Sequence, residues 1–302
     1  MGVHDGREGV LCLGRIYCDL VFTGSQTMPV LGREIFADNL DIALGGGAFI
    51  TAAHLEDLAR PAMLLARFGT DAVSRALEGL FEESGIDLSF LERAADAGPQ
   101  VTVAMVERAE RAFLSRRAGH AIPRQVDAAF ASPSVRHLHI AEYATLVEAP
   151  DLVRRARRHG LTVSLDPSWD ADLIHSDAFG SEVDGIDLLL PNLAEATALT
   201  GTNDPYSALT ALSNRFPIVA LKAGADGAFV AEGKKQYEEE AAPAEAVDTT
   251  GAGDAFNAGF LASWLNGDPI HTCLHEGIER GSLSVQTVGG APRGKRRRVE
   301  AG

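Results

Sequence analysis

Several large classes of protein are excluded by what this sequence lacks. No run of eighteen apolar residues occurs, so no membrane-spanning helix is expected. The opening MGVHDGREGV carries charges where a secretory signal places an apolar stretch, which reads as a cytoplasmic protein. Cysteine is scarce: Cys12, Cys18 and Cys273 form no CxxC pair, and Cys12 and Cys18 lie in a segment that reads as a buried strand, so free core thiols are expected. Positive charge is also short. Against 42 Asp and Glu stand 27 Lys and Arg, and the net charge of −15 argues against a nucleic-acid partner, whose phosphates are held chiefly by Lys and Arg. The exception is the KRRR run at Lys295 to Arg298, which reads as a solvated tail without function. The nine histidines show no HExxH spacing, and neither a P-loop GxxxxGK motif nor a GxGxxG after a strand occurs. No repeat and no Pro- or Ser-rich linker divides the 302 residues, so the simplest organisation is one domain over 1–302.

Apolar content of 46% is ample for a large core. Short apolar runs bounded by turn residues, VLCLG from Val10, AMLLAR from Ala62, HLHIA from His137, LTVSLDP from Leu161, DLLLPN from Asp187 and IVALKAG from Ile218, read as strands. Stretches of helical period separate most of them, such as DAVSRALEGLFEESG from Asp71, with Val73, Leu77, Leu80 and Phe81 on one face. Alternating strands and helices predict an α/β protein with a mostly parallel sheet. Such sheets bind ligands beyond the carboxyl ends of their strands, where Asp166, Asn192 and Lys222 fall. Residues 20–44 and 99–117 break the alternation, and QVTVAMVERAERAFLSRR reads as two strands around a polar turn. Both segments are assigned to a small β-sheet lid.

The densest chemical signal is AVDTTGAGDAFNAGFLASWL from Ala246, a Gly-rich loop entering a helix with Phe256, Phe260, Leu261, Trp264 and Leu265 on its apolar face. Small residues Gly251, Ala252 and Gly253 let a ligand reach free backbone N–H groups, and the helix dipole adds roughly half a positive charge at that end. The result is a cradle for a phosphate or oxyanion. Asp254 would repel an anion bound there, which is sensible if it takes a proton from an attacking hydroxyl. The tetrapeptide GAGD alone favours a helix-capping aspartate over a catalytic one.

DTTGAGDAF, together with LGGGAFITAAHLEDLAR from Leu44, LLARFGTDAVSRAL from Leu64 and PNLAEA from Pro191, resembles the ribokinase-like, or PfkB-type, carbohydrate kinases over nearly the whole chain. The resemblance implies the ribokinase-like fold and ATP-dependent phosphorylation of a hydroxyl of a sugar or sugar-like molecule. It implies Asp254 as base, with the amides of Gly251, Ala252 and Gly253 as anion hole. Asn192 and Glu195 would organise the ATP phosphates and hydrated Mg²⁺, Glu195 acting through water. LKAGADGAFV resembles the nucleotide loop, which implies Lys222, Gly224 and Gly227 as ATP contacts. Asp248 and Thr250 match positions that in some members offer carbonyls to a monovalent cation such as K⁺, together with the loop near Ser284 to Gly290. For the acceptor the resemblance points to Asp19, Gly45, Gly46, Gly47 and Glu142; carboxylates suit the task because they accept hydrogen bonds from sugar hydroxyls. It also implies a homodimer joined through the lids, in keeping with the apolar alternation of VTVAMV.

The acceptor side departs from the family. Aligned from Gly46, Thr51 stands where an asparagine usually contacts the sugar, and aligned from Gly45, Ile50 does; Tyr17 stands where ribokinases tend to have asparagine, Ser74 where GxDxxG ends in glycine, and DPSWD from Asp166 lacks the usual asparagine and arginine. Arg116 and Arg117 at the end of the second lid strand suit either a solvated edge or an acidic acceptor. A nucleoside kinase, with Tyr17 and Phe49 offering apolar surface to a base, is the alternative enzyme. A catalytically silent sugar- or nucleotide-binding regulator is the alternative from another class.

Overall fold

The computed structural model describes residues 6–292 apart from 26, 108–109, 176–178 and 288. The basic run at 295–298 lies outside the described residues. The chain begins with β1 (Gly9–Leu13), β2 (Tyr17–Thr23), β3 (Asn39–Gly45), α1 (Gly47–Asp57), β4 (Ala62–Phe68), α2 (Ala72–Ala76), α3 (Glu78–Ser84) and β5 (Leu91–Arg93). It continues through β6 (Val101–Glu107), β7 (Glu110–Arg116), α4 (Val126–Phe130), β8 (Val135–Ile140), α5 (Tyr143–Glu148), α6 (Leu152–Arg158) and β9 (Thr162–Leu165). The last part holds β10 (Leu188–Leu189), α7 (Leu193–Thr200), α8 (Pro205–Ser213), β11 (Ile218–Lys222), β12 (Ala228–Glu232), β13 (Lys235–Glu239), α9 (Ala252–Asn266) and α10 (Ile270–Ser284).

The larger sheet has nine strands in the order β13-β12-β11-β10-β9-β8-β1-β4-β5. From β11 to β5 every pairing is parallel; β12 and β13 add an antiparallel hairpin at one edge. All five residues of β1 and all seven of β4 are buried, as strands covered on both faces must be, and this is why they read as unbroken apolar runs. Successive side chains then serve opposite faces. Val10 and Cys12 join the core under α1, α9 and α10 with Phe49, Phe256 and Phe260, while Leu11 and Leu13 join the core under α4 to α8 with Phe130, Leu146 and Leu209. The three cysteines are free and buried, as expected.

The second sheet has the order β3-β2-β6-β7 and is the lid. Its register places Leu20 beside Ile42 and Val103, Phe22 beside Leu40, and Leu114 beside Val103 on one face. Asp19 pairs with Ala43 and Thr102, and Thr102 with Ser115, on the other.

Two local expectations are corrected. The helix over 71–85 is broken at Leu77 into α2 and α3, so Val73 is 38% exposed instead of sharing the face of Leu77 and Phe81. The β12–β13 hairpin was not anticipated, because Lys234, Lys235, Glu238 and Glu239 give it no apolar alternation to read. Among the described residues no helix is long and apolar enough to cross a membrane.

Candidate active site

Helix α9 starts from Gly251, whose φ of 72° lies in the left-handed region that only glycine enters freely. Gly251 is the N-cap, so Asp254 is the third residue of the first turn and does not cap the helix. The Asp254 carboxylate crosses to the start of α1, where a Cβ on Gly47 would lie 2.8 Å from its Oδ1. Burial pushes the Asp254 carboxyl up to about 7, Asp166 and Asp19 adding to the effect and Lys222 opposing it.

Beneath the first turn lies a buried polar triad. Lys222 Nζ at the end of β11 is 2.6 Å from Asp166 Oδ2, beyond β9, and donates at 3.2 Å to Asn257 Oδ1 on α9; Asn257 Nδ2 donates to Asp166 Oδ2 at 2.6 Å. A Cβ on Gly253 would stand 3.4 Å from Lys222 Nζ, so the ammonium sits close to the backbone of the first turn of α9. Burial works against both charges of the pair. Even so, Lys222 and its hydrogen bonds hold Asp166 below the usual carboxylate range, and Asp166 with Glu195 holds Lys222 above the usual lysine range.

Asn192 and Glu195 form a capping box at the start of α7: Glu195 N donates to Asn192 Oδ1 at 2.9 Å, and Asn192 N to Glu195 Oε2 at 2.8 Å. Asn192 Nδ2 also donates to Glu195 Oε1 at 2.7 Å. A local cap thus accounts for the N-x-x-E spacing, yet its setting is unusual for a cap. Glu195 is 4% exposed, and burial followed by the charge of Asp166 pushes its carboxyl up to about 7. Asp166 contacts the buried Lys222 ammonium, whose charge also reaches Glu195 and Asp254, and the hard carboxylate oxygens of Glu195 would suit a hydrated Mg²⁺ held through water. Among the described residues no cluster of three His, Cys, Asp or Glu side chains forms a metal cage of its own.

Between β3 and α1, Gly45, Gly46 and Gly47 each face a close neighbour. A Cβ on Gly45 would overlap the Asp19 carboxylate, and one on Gly46, at φ 93°, would overlap the carbonyl of Arg15. Burial, with Asp248 adding, pushes Asp19 up to about 7. Glu142 Oε1 accepts from Arg15 Nη1 at 2.9 Å and from Thr145 Oγ1 at 3.0 Å. Arg15, 4% exposed, also pairs with Glu148 and donates to the Gly119 carbonyl at 3.0 Å. Arg117 donates to Asp170 at 2.8 Å and to the Tyr17 hydroxyl, which bridges the lid to the loop after β9. Arg116 donates to the Pro99 carbonyl. Thr51 points elsewhere: it is fully buried and donates to the Asp254 carbonyl at 3.3 Å, joining α1 to α9. Phe49 is 4% exposed and stacks edge-on against Phe81 at 5.7 Å, so it offers no surface to a base.

Asp248 acts as a staple, with Oδ1 accepting from Thr250 N at 2.8 Å and Oδ2 from Gly289 N at 2.9 Å. Across from it, the carbonyl of Val285 accepts from the amides of Val247 and Asp248, and that of Gly290 from the His54 ring.

Next to Lys222 and Gly253 opens a cavity of about 350 Å³, lined by Gly224, Gly227, Ala241, Ala244, Phe256, Ile278 and Val285 among others. Its apolar walls and the adjoining N-terminus of α9 suit a flat heterocycle joined to phosphates. Gly227 lets the end of β13 approach the turn between β11 and β12, since a Cβ there would overlap the Glu239 carbonyl. Sequence reading found Lys222, Gly224 and Gly227 but missed Asn257, the 241–246 segment and the α10 wall. Asn257, three residues after Asp254 and on the same helical face, was the one with a usable signal.

A family model described as pfkB family carbohydrate kinase matches residues 8–294. The chain is 31% identical over 258 residues to an ATP-dependent ribose-1-phosphate kinase of Halopiger xanaduensis, covering 81% of each. It is 28% identical over 278 residues to a cytidine kinase of Thermococcus kodakarensis, covering 87% of this chain and 94% of that one. Its backbone is similar to the structure of Arabidopsis thaliana ribokinase complexed with ribose and ATP, with a TM-score of 0.81 at 22% identity, covering 95% of this chain and 96% of that one. The architecture is therefore the ribokinase-like α/β fold.

Proposed function

The chain belongs to the pfkB family of carbohydrate kinases, phosphotransferases with an alcohol group as acceptor, and from that premise we propose that it phosphorylates a sugar or sugar-like hydroxyl with Asp254 as base. The observation that carries this reading is the Asp254 carboxylate, with its affinity raised to about 7, standing over Gly47 at the positive end of α9. A base with that affinity is partly ionised at neutral pH and still strong enough to accept a hydroxyl proton. The acceptor oxygen attacks the γ-phosphorus of ATP, its proton passes to Asp254, and the bond to the β,γ-bridging oxygen breaks to release ADP. Backbone N–H groups of Gly251, Ala252 and Gly253 meet the charge that develops on the transferred phosphoryl group.

In the same reading ATP lies along the Gly224 and Gly227 loop with its phosphates toward Lys222, Asn192 and Gly253. Mg²⁺, held through water near Glu195, would neutralise phosphate charge. Asp19 and Glu142 orient the acceptor, Glu142 in the position Arg15 gives it. The exposed apolar lid face, with Leu40 49%, Ile42 55% and Leu114 70% exposed, pairs with a second copy of the chain.

The test is ADP release from Mg·ATP across pentoses, hexoses, sugar acids, sugar phosphates and nucleosides. It is run with and without potassium, because the Asp248 and Thr250 carbonyls are the ligands assigned to a monovalent cation. One strong sugar-type acceptor supports the reading. Preference for a nucleoside would replace the acceptor class while keeping Asp254, and absence of turnover with every acceptor would overturn it.

A further inference from the structure

Helix α1 carries Gly47, Ile50, Thr51 and His54 at intervals of three and four, which places all four on one helical face. Each meets the catalytic end of α9 or the loop beside it. Gly47 leaves room for the Asp254 carboxylate, and Thr51 donates to the Asp254 carbonyl. Ile50 Cδ1 would lie 3.1 Å from a Cβ on Gly251 and 2.7 Å from one on Gly290. His54 Nε2 is 2.9 Å from the carbonyl oxygen of Gly290.

The other ring nitrogen decides what His54 does. Arg280 Nε on α10 donates to His54 Nδ1 at 2.8 Å, and Arg280 Nη2 donates to Asp57 Oδ2 at 2.6 Å. A guanidinium has no acceptor, so Nδ1 must accept and Nε2 must carry the proton. The ring is 3% exposed, and burial together with Arg280 outweighs the Gly290 carbonyl and lowers its pKa to about 4. A neutral N–H is therefore aimed at Gly290 throughout the neutral pH range. The backbones of Gly290 and Gly251 are in contact, since a Cβ on Gly251 would lie 2.6 Å from Gly290 Cα. Where Gly290 sits fixes where the left-handed turn at Gly251 can sit, and that turn aims the amides that follow.

We infer that His54, oriented by Arg280 and Asp57, is a positioning residue for the anion hole, acting through the Gly290 carbonyl on the turn at Gly251. The inference rests on phosphoryl transfer at that site and adds a support that nothing in the motif DTTGAGD announces.

The test compares His54→Leu, which keeps bulk and removes the donor, with His54→Gln, which keeps an N–H near the place of Nε2. For His54→Leu, kcat at saturating Mg·ATP and acceptor is expected to fall about tenfold or more, less than the loss of a whole oxyanion donor. The acceptor KM should stay unchanged, and His54→Gln should recover most of kcat. In ¹⁵N spectra the Gly251 and Gly253 amide resonances should move in His54→Leu and return in His54→Gln, and wild-type His54 should show the Nε2–H tautomer. If His54→Leu does not fold, Arg280→Met, which releases Nδ1 without emptying the His54 site, is expected to lower kcat in the same direction. Wild-type kcat in a folded variant, unmoved glycine amides, or no recovery in His54→Gln would overturn the proposal. Failure of the wild-type protein to turn over any acceptor would remove the kinase reading separately, and the amide resonances would still report on His54.

Discussion

At the scale of single residues, Asp254, in the role of base proposed above, is where activity and folding would make opposite demands. Its carboxyl titrates at about 7 in the fold against an ordinary value of 3.8, so between these values the folded chain holds a proton that the unfolded chain has lost. Stability from this group therefore falls as pH rises through that window and is at its lowest above 7. Asp254→Asn should melt at a higher temperature than the wild type at pH 8, with the difference closing toward pH 4, as scanning calorimetry at both pH values would show. The same variant should lose at least about a hundredfold in kcat while still binding ATP, the loss expected for a missing general base. Wild-type kcat/KM should rise with pH through about 7. At Gly45 the constraint is steric: Gly45→Ala displaces the Asp19 carboxylate, and acceptor KM should rise by about tenfold or more with ATP KM unchanged. Asp254 was singled out by the glycine-rich entry to α9 and Asp19 only through the family resemblance, and the fold raises both carboxyls by burial. Thr51 was misread, because the same sequence position on α1 can face either the cleft or α9, and only packing chooses.

Among the elements, β11, the loop after β9 and helix α9 are joined by Lys222, Asp166 and Asn257. The Lys222 and Asp166 side chains are 10% and 8% exposed. Removing one partner of such a pair leaves the other charge buried alone, which costs about 3–5 kcal/mol. Lys222→Met should accordingly lower unfolding free energy by that order in a urea titration, and also weaken ATP binding. Strands β1, β4, β8, β9 and β11 were legible because burial on both faces demands continuous apolar runs. The break at Leu77 and the β12–β13 hairpin were not. The first lies at Leu77, buried where α2 ends and α3 begins, and neither it nor either neighbour in the chain is a Gly or Pro that would mark it; the second is an edge, where exposed Lys and Glu replace alternation.

For the molecule as a whole, the lid presents Leu20, Phe22, Leu40, Ile42, Val103 and Leu114 on one face. An apolar face that large is costly to leave in water, so a dimer is expected by light scattering at micromolar concentration, and Ile42→Asp combined with Leu114→Asp should give a monomer.

The sequence alone determined the parallel α/β architecture, the lid strands and the glycine-rich start of α9, because apolar periodicity and glycine placement are local records of burial and backbone geometry. Only the tertiary structure decided that Lys222 faces Asp166 across 56 residues, that His54 reaches Gly290 across 236, and that Thr51 supports Asp254 across 203. The reason is physical. A contact between distant segments depends on which face each element turns inward, and that choice is made by packing the whole core at once, so no stretch of sequence carries it by itself.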